Sequence, residues 1–265
     1  ARLLVVGGIG SGKSTALEAV RRSLRDSGRS VVSRAPEHDD DGAAIVIDDA
    51  HLLTDTDVRR LTELADDPDR TIVVAIEARD HDSRLNSLGA ALELEHPRIT
   101  LGPLTTGDVA RTLADSSGHP PPIAVLEAVA AATGGIPLLV SAVGAAGHPL
   151  SAEAISHAAG NALNARLRRL PPRDLEALLI ASLSSDLGAA DLAGALDLPA
   201  ESAAQLMDRA RGSALVEPSH RPEFLRTVHR AVAQIVGATR HHDVEMALLR
   251  TQLESATLPD QVALE

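Results

Sequence analysis

The sequence contains no cysteine, no tryptophan, no tyrosine and a single phenylalanine, Phe224. Without cysteine the chain has no disulfide, no thiolate metal site and no cysteine nucleophile. The near-absence of aromatic rings excludes the stacking platforms that hold single-stranded nucleic acids. Lysine is scarce too, since Lys13 is the only lysine among 25 basic residues. The abundance of Ala and Arg is typical of a GC-rich genome, which explains the missing lysines but not the one that remains.

Charge and hydropathy restrict the class of protein further. The 37 acidic residues outnumber the 25 basic ones and give a net charge of −12, which argues against a broad nucleic-acid surface. With 265 residues, 44% of them hydrophobic, the chain can bury a core and form roughly two domains. The uncharged stretch at 128–152 has the length of a membrane span, but Gly134, Gly135 and Pro137 interrupt it, and it is interpreted as two short buried helices. Because no secretory signal opens the chain, a cytoplasmic protein without a membrane partner is expected.

Short apolar runs alternate with helical periodicity over the first hundred residues. Strands are predicted at 3–6, 31–32, 43–47, 71–76 and 99–101. Helices are predicted at about 13–27 and after Thr54, whose side chain can cap the helix with Asp57 at the capping-box position. Strands that alternate with helices favour a parallel α/β sheet.

A glycine-rich segment after the first strand matches the phosphate-binding pattern G-x-x-x-x-G-K-[ST] in full. It consists of Gly7, Gly8, Ile9, Gly10, Ser11, Gly12, Lys13 and Ser14. The segment follows an apolar strand and opens a helix, which is the context that this motif requires. Glycines let backbone N–H groups converge on phosphate oxygens, and the helix N-terminus adds partial positive charge.

Three side chains at the start of the helix are the predicted contacts of a nucleotide. Lys13 is expected to reach the β- and γ-phosphates and Ser14 to ligate Mg²⁺. Thr15 is placed next to them, where it can contact the α-phosphate. The alternative is a glycine-rich turn with an incidental lysine, which the survival of one lysine at this position disfavours.

The apolar strand at 43–47 ends in two acidic residues, Asp48 and Asp49. A carboxylate at the carboxyl edge of a parallel sheet lies beside the phosphate loop. Asp48 is therefore expected to hold Mg²⁺ through water, and Asp49 to polarise the attacking water. The alternative is a strand that ends in an ordinary polar turn. Because Asp is shorter than Glu, its position here favours slow hydrolysis.

The strand at 71–76 is followed by Arg79. In sheets of this kind that strand lies beside the strand of the phosphate loop, so its end faces the γ-phosphate. Arg79 is either a sensor of nucleotide state, included among the catalytic candidates, or an ordinary surface arginine, and the sequence does not separate the two. His51, Asp80 and His81 are interpreted as supporting or solvated groups.

After Pro103 the pattern becomes helical, with Thr105 or Thr106 as a candidate cap and Pro137 in the first turn of a later helix. Three helical runs followed by a hairpin, formed by 215–216 and 223–225, are typical of a winged helix. The predicted fold is α/β: a P-loop NTPase parallel sheet of five strands, then a helical lid and a winged-helix domain. The predicted domains are the sheet at 1–103, the lid at 104–162, the winged helix at 163–240 and a C-terminal helical extension at 241–265.

Together the motifs resemble the STAND class of signal-transduction ATPases, which are relatives of the AAA+ ATPases. The resemblance is greatest to the ATPase core of the large ATP-binding regulators of the LuxR type, and it covers nearly the whole chain. The motifs occur in this order: the loop at 7–14, Asp48-Asp49-Ala50-His51, Arg79, Leu101-Gly102-Pro103-Leu104, Gly134-Gly135-Ile136-Pro137-Leu138 and the winged-helix-like tail.

The resemblance implies an ATP-binding and slowly hydrolysing switch with ATP or ADP and Mg²⁺ as cofactors. It implies that Pro137 packs near the adenine in the ADP-bound state and that His229 faces the phosphates. A histidine at the start of an apolar helix is otherwise a capping or packing residue. Self-association or regulatory partner domains are expected, and DNA is expected to bind only through a region outside this chain.

The sequence departs from the family pattern in two ways. Only the 34 residues at 14–47 separate Lys13 from Asp48, and the acidic run at 37–41 among them is interpreted as a solvated loop rather than a metal site. The chain also begins within a predicted strand, so it is expected to be a piece of a longer protein. Three rival functions remain: a P-loop phosphotransferase, a DNA-binding protein that uses the winged helix, and a nucleotide-binding scaffold without significant hydrolysis.

Overall fold

In the computed structural model the chain divides into two compact units, Ala1–Gly102 and Pro103–Glu265. The structure describes residues 1–35, 42–77, 82–147, 149–217 and 219–262, with side chains up to residue 254. No helix in this described part of the chain is long and apolar enough to cross a bilayer.

The first unit is a parallel sheet with helices on both faces. Its strands are β1 (Arg2–Gly7), β2 (Val31–Val32), β3 (Ala44–Ile47), β4 (Ile72–Ile76) and β5 (Ile99–Leu101), and its helices are α1 (Lys13–Asp26), α2 (Asp55–Ala65) and α3 (Ser83–Leu92). The strand order is β2-β3-β4-β1-β5, and every pairing is parallel. The five-stranded parallel sheet is therefore confirmed, as is the position of β4 beside β1.

The apolar runs of the sheet are continuous because both faces are covered. Every residue of β3 and β4 is buried, as expected when helices pack on either side of a parallel sheet. Successive residues of a strand point to opposite faces, so Leu4 packs in the cluster that contains α2 and α3, and Val5 packs in the cluster that contains Leu17 of α1. Thr54 caps α2 by accepting a hydrogen bond from Asp57 N, as predicted.

The second unit is helical throughout its described residues. Its helices are α4 (Thr106–Ser117), α5 (Ile123–Thr133), α6 (Pro137–Ala145), α7 (Ala152–Leu167), α8 (Pro172–Ala181), α9 (Ala189–Leu196), α10 (Ala200–Gly212), α11 (Pro222–Val236) and α12 (Ala238–Val262). Thr105 caps α4 through Asp108 N, and Pro137 occupies the first turn of α6. The uncharged stretch is two separate helices, since Gly134 ends α5 in the left-handed conformation.

The prediction of a hairpin at 215–216 and 223–225, which would form the wing of a winged helix, is wrong. Residues 215–216 form a bend, and residues 223–225 belong to the first turns of α11. The helix forms because Pro222 is suited to its first turn, and Phe224, Val228 and Ala231 are buried at helical spacing. This three- and four-residue spacing outweighs the short strand-like run. The finer division into a lid, a winged helix and an extension stays a prediction, and α12 crosses the expected boundary at 240/241 without a break.

Candidate functional site

The loop between β1 and α1 depends on glycine at defined positions. Gly10 and Gly12 have φ angles of 74° and 97°, in the left-handed region where a Cβ is unfavourable. Gly7 has a different reason, because a Cβ there would collide with Ser11 Oγ and lie 3.2 Å from Leu101 Cβ. Gly12 is also the N-cap of α1, so the first amides of the helix, which have no partner within it, open directly onto this loop.

Lys13, the only lysine in the chain, folds back over the loop. Its Nζ donates hydrogen bonds to Gly7 O at 2.8 Å and to Gly8 O at 2.9 Å, and the residue is only 7% exposed. An ammonium has three donors, and within the described residues these two carbonyls are its acceptors. The compact charge thus lies at the mouth of the loop with one donor left for an anion.

Ser14 and Asp48 lie together at the carboxyl edge of the sheet. Ser14 Oγ donates to Asp48 Oδ2 at 2.6 Å, and Asp49 N donates to Asp48 Oδ1 at 3.0 Å. Ligands at right angles around Mg²⁺ lie about 2.9 Å apart, given bonds of about 2.0–2.1 Å. Ser14 Oγ and Asp48 Oδ2, which are 2.6 Å apart, would have to separate only slightly to reach this spacing around a magnesium ion. Thr15 is in the first turn of α1 with an exposed side chain.

Asp49 changes the direction of the chain at the end of β3. Its φ of 48° and ψ of 43° are left-handed, and it precedes the 3₁₀ turn Ala50–Leu52. Asp tolerates this region better than most residues, yet a non-glycine residue there carries a conformational cost. Because Asp49 N donates to Asp48 Oδ1 and Ser14 Oγ donates to Asp48 Oδ2, the Asp48 carboxylate is held through both of its oxygens.

A buried histidine, His51, and a half-buried glutamate, Glu77, lie at the same edge of the sheet. His51 is 7% exposed; its Nδ1 accepts a hydrogen bond from Glu77 N at 3.3 Å, and its Nε2 is 3.7 Å from Glu77 Oε2. Since Nδ1 accepts, the ring proton is on Nε2, on the side of the carboxylate. The solvated alternative for His51 is therefore wrong. Glu77 was missed, although it is the first polar residue after β4, and that criterion had identified Asp48.

Several predicted residues lie outside the part of the chain that the structure describes. They are Arg79, Asp80, His81 and the acidic run at 37–41. The role of Arg79 as a sensor of nucleotide state and the solvated character of the acidic run stay predictions.

In the second unit, the segments around Leu104 and Pro137 meet. Leu104 N donates to Gly135 O at 2.7 Å, and a Cβ on Gly135 would lie 2.8 Å from Leu104 O. Gly135 also has a φ of 74°, so both the conformation and the close approach require glycine. This contact fixes the entry to α6 and therefore Pro137. The expected contact between Pro137 and adenine stays a prediction.

His229 lies two turns into α11, so the alternative of a helix cap is wrong. Its Nδ1 is 3.1 Å from Ser182 Oγ, and its ring centroid is 5.2 Å from that of His241. Burial and the neighbouring His241 hold the pKa of His229 below its usual value. A contact between His229 and nucleotide phosphates stays a prediction.

No protein-family model and no curated protein matches this chain. The resemblance seen in the sequence is therefore one of motif order. Lys13, Ser14 and Asp48 converge at the carboxyl edge of the sheet, and their geometry is the evidence that bears on function.

Proposed function

We propose that the chain is the ATP-binding and slowly hydrolysing nucleotide switch module of a cytoplasmic transcriptional regulator. One observation carries the proposal: the only lysine caps a glycine-rich loop at the start of α1, and Ser14 beside it is 2.6 Å from Asp48 at the end of β3. A cation, a helix N-terminus and two oxygen ligands thus meet at one sheet edge. This is the chemistry that a magnesium-bound polyphosphate requires.

The loop supplies the phosphate site. The amides at the start of α1 donate to phosphate oxygens, and the helix dipole favours their negative charge. With two of its donors engaged by the carbonyl oxygens of Gly7 and Gly8, Lys13 would reach the β- and γ-phosphates through its remaining donor. An arginine would place a larger planar group in this space, which accounts for the survival of lysine at this position in an arginine-rich chain.

Two residues hold the metal and one acts on water. Ser14 Oγ and Asp48, directly or through water, would hold Mg²⁺, which supplies charge neutralisation between the β- and γ-phosphates. Asp49 polarises the water that attacks the γ-phosphate. The shorter reach of Asp compared with Glu makes this step slow, which suits a switch that must persist in its ATP-bound form.

Nucleotide binding is the first property to test. Purified wild-type protein, Lys13→Ala and Arg25→Ala are compared by equilibrium dialysis with ATP and Mg²⁺. Arg25 is the matched control, since it is a basic residue of the same helix whose side chain is 56% exposed. ATP affinity is expected to fall at least tenfold in Lys13→Ala and to be unchanged in Arg25→Ala. Wild-type protein that does not bind ATP, or Lys13→Ala that binds it equally well, would overturn the proposal.

The composition makes bound nucleotide easy to detect. A chain with no Trp, no Tyr and one Phe absorbs very weakly in the near ultraviolet, whereas adenine absorbs strongly. Any substantial near-ultraviolet band in purified protein therefore reports bound nucleotide, and denaturation followed by chromatography identifies it as ATP or ADP.

The switch and its regulatory role rest on the order of the motifs. In this proposal ATP and ADP favour different conformations or oligomeric states, self-association or partner domains transmit the change, and DNA is bound through a region outside this chain. Small-angle scattering and oligomeric state measured with ATP and with ADP test it. Identical results on protein that binds both nucleotides would favour a nucleotide-binding scaffold and overturn the switch, while transfer of phosphate to an acceptor would favour a phosphotransferase.

A further inference from the structure

Two histidines and a glutamate of the second unit converge between α11 and α12. His229 is on α11, and His241 and Glu245 are one turn apart on α12. One potential ligand atom from each residue lies within 4.8 Å of the other two, and all three residues are half-buried. No other group of three histidine or acidic residues in the described part of the chain is arranged in this way.

The His241 ring nitrogen nearest to Glu245 lacks a hydrogen bond. His241 Nε2 is 3.0 Å from Glu245 Oε1, but Nε2 is buried and, among the described residues, has no hydrogen-bond partner. A buried polar atom without a hydrogen bond is costly, and the Glu245 carboxylate offsets this cost only when the His241 ring is protonated. A cation between Nε2 and Oε1 would accept a lone pair from each and remove that cost.

The contacts of His229 are compatible with the tautomer that a metal requires. Ser182 Oγ is 2.9 Å from Leu179 O and 3.1 Å from His229 Nδ1. When the hydroxyl donates its one hydrogen to Leu179 O, His229 Nδ1 is the donor to Ser182 Oγ. A neutral ring with its proton on Nδ1 leaves the Nε2 lone pair available. Metal-binding histidines characteristically donate their other ring N–H to a protein oxygen in this way.

We propose that His229, His241 and Glu245 bind a divalent transition metal of the zinc class. Nitrogen ligands favour zinc, cobalt or nickel over magnesium and calcium, which prefer oxygen. Ligand atoms around zinc lie about 3.3 Å apart, because bonds of about 2.0–2.1 Å meet near the tetrahedral angle. The pair on α12 is 3.0 Å apart, close to this spacing, and the His229 ligand atom, within 4.8 Å of both, would have to move closer to complete the set. Three protein ligands leave a fourth position for water or an exogenous ligand.

The bound metal would fasten three helices together. It would join α11 to the start of α12 across Gly237, and Ser182 would link the His229 ring to the end of α8. All three ligands belong to the second unit, and the site offers His229 a second role beside the predicted contact with phosphates.

Cobalt titration of the tag-free full chain tests the site, because Co²⁺ occupies zinc sites and its visible spectrum reports nitrogen ligation and a low coordination number. Wild-type protein is compared with His229→Ala, His241→Ala and the nearly isosteric Glu245→Gln. The matched control is His242→Ala, since His242 is the next residue on α12 and is exposed. One Co²⁺ per chain, displaced by Zn²⁺, is expected, with affinity at least tenfold lower in the three ligand variants and unchanged in the control.

Three outcomes would overturn the proposal: no stoichiometric binding, ligand variants that bind as the wild type does, or an equal loss in His242→Ala. Far-ultraviolet circular dichroism checks that Glu245→Gln keeps its helical content, so that its loss of metal is not a loss of fold. Ser182→Ala tests the positioning of His229 and is expected to weaken Co²⁺ binding and alter its spectrum. ATP affinity is expected to be unchanged in His241→Ala, and unchanged Co²⁺ affinity in that variant would overturn the metal site whatever the nucleotide result.

Discussion

Ser14 Oγ donates a 2.6 Å hydrogen bond to Asp48 Oδ2, which joins the first turn of α1 to the end of β3. The two residues are far apart in sequence, and both were expected from their motifs to hold magnesium. Their contact follows from the strand order, because β4 alone separates β3 from β1 and parallel strands end at the same edge. A hydroxyl and a carboxylate oxygen held at this distance would supply two of the six oxygen ligands of an octahedral magnesium ion.

Loss of the Ser14 hydroxyl or of the Asp48 carboxylate is expected to uncouple ATP binding from Mg²⁺. Ser14→Ala and Asp48→Asn should each lower ATP affinity about tenfold or more when Mg²⁺ is present, the loss of about 1.5–3 kcal/mol that a charge-assisted contact carries. Without Mg²⁺ the variants and the wild type should bind alike. Calorimetric titration with and without Mg²⁺ measures both cases. Ser27→Ala, at the opposite end of α1, is the control, and an equal loss in the absence of Mg²⁺ would contradict a metal role.

Two carboxylates at the sheet edge, those of Asp49 and Glu77, are candidates for polarising water. Replacing each one by its amide distinguishes between them. Asp49→Asn is expected to reduce ATP turnover about 10²–10⁴-fold, the contribution of a general base, with ATP affinity nearly unchanged. Asn tolerates the left-handed conformation of Asp49, so the variant tests charge rather than backbone shape. Phosphate release under saturating ATP is the measurement.

Glu77→Gln serves as the comparison for Asp49→Asn. Glu77 is paired with His51, and its amide keeps the size of the side chain. If turnover falls in Glu77→Gln and not in Asp49→Asn, the assignment of Asp49 is wrong, and the residue that polarises water is Glu77, paired with His51. If neither variant changes turnover, the chain is better described as a nucleotide-binding scaffold.

Phe224, the only phenylalanine of the chain, packs on Gly134. A Cβ at this position would lie 3.0 Å from two atoms of the Phe224 ring, and the φ of Gly134 is +58°. Gly134→Ala is therefore expected to cost about 1–2 kcal/mol for the left-handed conformation and about 1–3 kcal/mol more for overpacking. Gly118→Ala is the control, because Gly118 has a φ of +75° with nothing within 4 Å. Urea unfolding followed by far-ultraviolet circular dichroism compares them, and equal losses would contradict the packing argument.

The parts of the site that could be predicted from the sequence are those formed by consecutive residues. The loop from Gly7 to Ser14 and the strand that ends in Asp48 each combine a required residue type with a local pattern, and neighbouring parallel strands then bring them together. Partnerships between distant residues carry no such pattern. His51 meets Glu77 only through the pairing of the sheet, and nothing near His229 in the sequence indicates His241 as a neighbour.

The incorrect prediction of a hairpin at 215–216 and 223–225 also arose because contacts between distant residues leave no local pattern. Short apolar runs do not distinguish a strand from part of a helix, and the tertiary burial of Phe224 decides the matter. Thr54 before α2 and Gly134 after α5 mark their boundaries, and both boundaries were predicted correctly. Pro222, which opens α11, was not recognised as the start of a helix. Where only a few apolar residues were available, as at 215–216, packing against neighbouring helices determined the structure.

The N-cap of α3 is expected to make stability depend on pH. Asp82 accepts hydrogen bonds from the backbone N–H groups of Arg84 and Leu85, and both of its oxygens accept from the Arg84 guanidinium. Burial acts to raise the pKa of Asp82, but these hydrogen bonds and the charge of Arg84 outweigh it and hold the pKa below its usual value of 3.8. A carboxyl whose pKa is lowered on folding stabilises the fold above its unfolded pKa, and this contribution is lost as the pH falls through the folded pKa.

Asp82→Asn isolates the charge, since Asn is as good an N-cap as Asp. Near neutral pH the variant is expected to be less stable by about 0.5–1 kcal/mol, a value reduced by solvent screening of a partly exposed pair. Below about pH 4 the difference should begin to shrink, because Asp82 of the unfolded chain is then protonated first, and it should be lost as the pH falls through the lowered pKa of Asp82 in the folded state. Thermal unfolding of both proteins across this pH range, followed by circular dichroism, measures it. Asp55→Asn is the control: Asp55 also contacts Arg84, but its side chain is 77% exposed, so its loss should change stability less. A difference that grows as the pH falls would contradict the stabilising role of the Asp82 carboxylate.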